Sequence, residues 1–217
     1  MWRRVSATIP LSRGPPPRWR GPSAKPLSPS EVRVRLPDRV AAFPFRQLVW
    51  LLPAPLFVHE LEEWHIIAWY RQQFTNPPAT PDFALHALLV GISVLGAAWT
   101  ALGCCFRAPK ATAYFVLPFF VPFVFANNLQ HIYWQVAFGA YAPGVLASAF
   151  LNGPAILLLS WHACRNRLVP PVFVTALYLL SLPPLFDAVR AGRTVPAALL
   201  RVHEFGVWLA GAVFGAV

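Results

Sequence analysis

Charge is scarce in this chain. Only 12% of its 217 residues are Asp, Glu, Lys or Arg, while 57% are hydrophobic. A soluble globular domain carries about 25% charged residues, so a water-facing surface is excluded as the main design. Cysteine is scarce as well. Cys104, Cys105 and Cys164 are odd in number and two are adjacent, which excludes a disulfide framework. They read as small apolar residues in helix or lipid contacts. The first 43 residues contain no apolar run long enough for a signal-peptide core. No internal repeat is evident, and the alternation that a membrane barrel needs is missing.

The net charge is +10, and it is unevenly placed. Residues 1–46 hold ten basic and two acidic residues, a balance of +8, and the remainder is close to neutral at +2. The basic segment is rich in Pro, Arg and Ser and lacks interleaved aromatics, which argues against nucleic-acid binding. We read residues 1–44 as a disordered basic tail beside the lipid headgroups, or as an over-extended gene start, and residues 45–217 as a membrane domain.

Six apolar runs follow the tail: Leu48–Tyr70, Phe83–Cys105, Ala111–Gly139, Ala142–Cys164, Leu168–Phe186 and Val195–Val217. A bilayer core of about 30 Å needs about 20 helical residues, so each run is long enough to cross. Only helices satisfy their own backbone in lipid at this hydrophobicity. The expected fold is all-α, a transmembrane helix bundle of five to six spans. The fifth run, with Pro170-Pro171 and Pro183-Pro184 at its ends, is the weakest. Arg107, Lys110, Arg165 and Arg167 fall on the same side as the basic tail, so the positive-inside rule places the N-terminus in the cytoplasm.

Three runs carry polar motifs. The first holds His59-Glu60-Leu61-Glu62-Glu63. Steps of three and four residues return to one helix face, which groups His59, Glu62 and Glu63, with Tyr70 along the same line. Glu60 points about a quarter-turn away. Acids near the centre of a span cost about 2.5–3.5 kcal/mol each, so they imply a buried site or a frayed outer end in water. The third run holds Asn127-Asn128-Leu129-Gln130-His131, with Asn127 and His131 on one face; interhelical hydrogen bonding alone could account for it. The last run holds Arg201 and His203-Glu204-Phe205-Gly206, where Arg201 and Glu204 could pair at i,i+3.

Depth links the three. At ~1.5 Å per residue, His59 lies roughly 17 Å from the inner end of its span, Asn127 roughly 24 Å and His203 roughly 18 Å. Pooled imidazoles and carboxylates suit a divalent metal such as zinc or iron. They equally suit metal-free acid/base work or proton coupling in a transporter. The candidate ligands are His59, Glu62, Glu63, His131 and His203; the candidate catalytic groups are Glu62, Glu63 and Asn127. His65 and His162 read as interface residues, and His86 as a contributor from the outer side. Nothing singles out a histidine pair for haem. An enzyme, such as a hydrolase, would take a lipid-like substrate from the bilayer; the alternatives are a small proton- or ion-coupled carrier or a structural protein.

His59-Glu60-Leu61-Glu62-Glu63-Trp64, then Asn127 to His131, then Tyr141-Ala142-Pro143-Gly144, and finally His203 to Gly206 together resemble the HXXEE family of membrane proteins, mostly bacterial. The resemblance runs from about Leu48 to Val217. It implies an integral membrane protein, in bacteria one of the inner membrane, with a site of unassigned chemistry. It brings no substrate.

Overall fold

The computed structural model describes residues 40–215. The basic tail expected over residues 1–44 lies almost wholly outside them. Among the described residues the chain is helical and has no strand. Seven helices follow a short helical turn at Phe45–Leu48. They are α1 (Pro53–Glu62), α2 (Ile66–Gln73), α3 (Asp82–Cys105), α4 (Pro109–Phe138), α5 (Val145–Arg165), α6 (Pro171–Ala191) and α7 (Ala197–Phe214). The last five are each long and apolar enough to cross a membrane.

The weak crossing is the first, not the fifth. α6 counts as one 21-residue span across a single turn residue, Ser181, whereas the first run is cut into α1 and α2 by the turn at Glu63, Trp64 and His65. The broken segment still joins opposite ends of the bundle. At one end His162 Nε2 on α5 donates to the Phe43 carbonyl (3.0 Å), and Cys104 Sγ on α3 lies 3.6 Å from the Arg46 carbonyl. At the other, Thr75 N donates to the Arg193 carbonyl (2.9 Å) and Val195 N to Asn76 Oδ1 (2.7 Å). His162, read as an interface residue, is buried and ties α5 to the segment before α1.

Small residues set the closest helix approaches, as is usual where lipid supplies no drive to associate. A Cβ on Gly96 would fall 2.7 Å from Leu56 of α1, and one on Gly206 would fall 3.1 Å from Leu88, where α7 lies on α3. Two helices carry a π-type turn. In α4 it spans Phe120–Phe125, next to Pro118 and Pro122, whose rings cannot fit a regular turn. In α5 it spans Ser148–Asn152, just before Gly153-Pro154.

The buried apolar residues form two clusters. One contains Leu52, Leu56, Val116, Phe120 and Ile156. The other contains Ile66, Tyr70, Leu85, Leu89 and Trp134. In the first crossing the boundary between them falls at His59–Glu63. The outward surface is apolar too: Val136 is 78% exposed, Val172 73% and Phe150 72%. This is the form of an integral membrane protein, with its polar groups held inside.

Candidate metal centre

α1 ends at Glu63 (φ −83°, ψ 1°), although the Glu63 amide still donates to the His59 carbonyl (3.1 Å). The turn that follows leaves backbone groups to be satisfied. His86 of α3 donates from Nε2 to the Trp64 carbonyl (3.0 Å) and stacks on the Trp64 ring at 3.8 Å. His86 therefore serves the break; His65 beside it is exposed.

Within the break, Glu63 Oε1 lies 2.8 Å from His59 Nε2 and 2.7 Å from His131 Nε2 of α4. The three atoms all lie within 4.8 Å of one another. His59 and His131 are essentially inaccessible, and Glu63 is 9% exposed. The short contacts are not directed hydrogen bonds, because Glu63 Oε1 remains a buried oxygen with no hydrogen-bond partner among the described residues. Three ligand atoms this close together form a group that could hold a metal ion.

The second ring nitrogens differ. His59 Nδ1 lies 3.0 Å from the Gly144 carbonyl and 3.3 Å from Ser148 Oγ. A carbonyl only accepts, so Nδ1 carries the proton and the neutral ring presents its lone pair at Nε2. Asn127 Nδ2 donates to that Nε2 (2.8 Å). His131 Nδ1 is buried with no partner among the described residues, and the His131 ring meets Trp134 edge-on at 5.3 Å.

Gly144 closes the cluster. It caps α5 at φ +89°, a left-handed conformation that favours glycine. A Cβ there would fall 2.8 Å from His59 Cε1 and 3.0 Å from both Glu63 Oε1 and His131 Cε1.

Glu62 is placed elsewhere. Its carboxylate accepts from the Leu146 amide (3.1 Å), the Ala147 amide (2.8 Å) and the Tyr141 hydroxyl. It therefore caps the N-terminus of α5, where free amides and the helix dipole favour an anion. The Tyr141 phenol is pushed up to about 12 by burial, then by its hydrogen bond to Glu62 and that carboxylate's charge, so it stays a donor at neutral pH. Glu62→Ala is expected to lower the midpoint of thermal unfolding in detergent, by the equivalent of about 1–2 kcal/mol, while bound-metal stoichiometry stays at the wild-type value. Loss of metal in this variant would show that Glu62 reaches the cluster.

His203 also stands apart. It is buried on α7, with Nδ1 3.2 Å from Thr80 Oγ1 and its ring edge-on to Tyr70 at 5.6 Å. Equal depth does not bring it to His59, because α7 lies on α3. Arg201 and Glu204 are both exposed and form no ion pair among the described residues. The structure thus gathers His59, Glu63, Asn127 and His131, and leaves out Glu62 and His203.

Sequence reasoning passed over Glu60. It is 5% exposed, and its charge acts on both His59 and Glu63. The signal was present: Glu60 follows buried Leu52 and Leu56 by eight and four residues, whereas Glu62 follows exposed Val58 by four. Ser148 and Asn152, in the π-type turn of α5, gave no comparable signal. Asn152 Nδ2 lies 3.5 Å from Asn128 Oδ1, and Gln130 Nε2 donates to the Pro184 carbonyl of α6 (3.1 Å), so the second motif is shared among three helices.

Comparison with known families finds a match over residues 50–159, half of the chain, to a model described as a protein of unknown function with HXXEE motif. Neither a search of curated proteins nor one of solved structures finds a match.

Proposed function

The chain belongs to the HXXEE family, and from its own geometry we propose that it is a membrane-embedded metal-dependent enzyme, a hydrolase acting on a lipid-like substrate. The observation that carries the proposal is the convergence of His59 Nε2, His131 Nε2 and Glu63 Oε1 on one buried point. Two imidazoles and one carboxylate are a donor set found around catalytic zinc and, with open positions, around non-haem iron. Three protein ligands leave a position free for substrate.

A divalent ion there would supply Lewis acidity toward a carbonyl or phosphoryl oxygen. The chain's own groups do the rest. The Gly144 carbonyl fixes the tautomer of His59, the kind of outer contact that orients metal ligands. Glu60 is the spare buried carboxylate and serves as the proton acceptor and donor. Asn127, beside His59 Nε2, orients a substrate oxygen. The apolar outer surface gives a bilayer-borne substrate lateral access. By the positive-inside rule, Arg107, Lys110, Arg165 and Arg167 favour an N-terminus in the cytoplasm and a cluster toward the outer face, in bacteria of the inner membrane.

The test is metal analysis of detergent-purified protein, followed by turnover of apolar ester and amide substrates before and after chelation. One zinc or iron per chain, with activity lost on chelation and restored by the metal, is the expected result. The second reading is ion-coupled transport, which the break in the first crossing favours because carriers build midplane sites from interrupted helices. Protein without metal that conducts a pH-dependent solute flux in vesicles would replace the enzymatic reading.

A further inference from the structure

His203 has no part in the cluster, yet it is buried. It lines a cavity of about 490 Å³ between the segment after α2 and the face of α7, with Thr80, Ala79, Glu204 and Val207 also on its walls. Thr80 holds His203 Nδ1, and Nε2 makes no hydrogen bond among the described residues. Behind His203 stands the Tyr70 ring, seven residues beyond Glu63 in the chain and 2% exposed. Tyr70 meets the Trp134 ring at 6.0 Å, and Trp134 meets His131 at 5.3 Å. Two aromatic rings in line therefore separate His203 from the candidate metal centre.

The lining decides what the cavity can take. Its one formally charged side chain among the described residues is the Glu204 carboxylate, and no ion pair with Arg201 neutralises it. A carboxylate at the wall and an imidazole nitrogen at the floor attract a cation and repel an anion. Both are also ligand types for divalent transition metals. A buried metal site further needs a route by which the ion arrives. Here the polar route is this cavity; the faces of α3 and α7 around it carry Phe205, Trp208 and Val94 toward lipid, which a hydrated ion cannot cross.

We propose that this cavity is the port through which the divalent cation reaches His59, Glu63 and His131, with Glu204 and His203 as its transient ligands and Tyr70 and Trp134 as the rings that must swing aside. The proposal rests on the metal reading above. Its test is kinetic. Full-length protein is stripped with a chelator and reloaded with Zn²⁺, and uptake is followed against a fluorescent zinc indicator. His203→Ala and Glu204→Gln are each expected to slow loading roughly tenfold with the final stoichiometry unchanged. Val207→Trp, which fills the cavity and removes no ligand, should slow it as well. Loading at the wild-type rate in all three variants would overturn the port, and is also what a cavity reserved for substrate would give. Wild-type protein that takes up no zinc, and so behaves like Glu63→Gln, removes the metal reading and the port with it. Zinc bound at the wild-type rate by every variant except Glu63→Gln removes the port alone.

Discussion

Glu60→Gln is expected to keep its metal and lose turnover by about 10²–10⁴-fold, whereas Glu63→Gln is expected to lose the metal itself. The two acids are three residues apart, and both are buried, 5% and 9% exposed. Their surroundings differ. Glu63 Oε1 has two imidazole nitrogens within 2.8 Å. Glu60 makes no such contact and acts on the pair through its charge. An amide in place of the Glu63 carboxylate removes the one anionic donor. Changing groups that merely orient ligands costs 10–100-fold in metal affinity, so loss of a direct donor should exceed about 100-fold. Zinc content by mass spectrometry separates the two variants without an activity assay. Equal zinc in both would mean that Glu63 is not a ligand.

The second large effect is expected at Gly144. Gly144→Ala places a methyl group 2.8 Å from His59 Cε1 and 3.0 Å from Glu63 Oε1, at a backbone angle of φ +89°. A left-handed conformation costs a substituted residue roughly 1–2 kcal/mol, and overpacking typically adds about 1–3 kcal/mol. The neighbours cannot yield cheaply, because they are buried ring and carboxylate atoms held by other contacts. We expect a marked fall in thermal stability together with loss of bound metal. Gly139→Ala is the control: it too has positive φ (63°), but a Cβ there meets nothing within 4 Å. It should show the backbone cost and keep its metal. Similar metal loss in both variants would point to general unfolding instead of a specific closure over the cluster.

The helical bundle was legible because lipid permits few alternatives: long uncharged runs must become helices. The site was legible in part. His59, Glu63, Asn127 and His131 could be grouped because helical spacing fixes azimuth along one helix, and distance from the inner end fixes level between helices. Level does not fix which helices are neighbours, so His203, grouped with His59, meets Thr80 and Tyr70 instead. Glu62 was misread for a different reason. Its three partners, Tyr141 before α5 and Leu146 and Ala147 in its first turn, lie some eighty residues away, and a capping contact of that range leaves no trace in local periodicity. The break at Glu63 was equally hidden, since neither proline nor glycine marks it. It is supported from outside, by the His86 bond to the Trp64 carbonyl.

Every side chain that builds the cluster, from His59 to Ser148, precedes the last two helices in the chain. During synthesis, then, the full set of donors is polymerised before α6 and α7. The order of manufacture imposes a sequence of assembly: the imidazole of the first crossing waits, without its carbonyl partner, until the connection into α5 arrives.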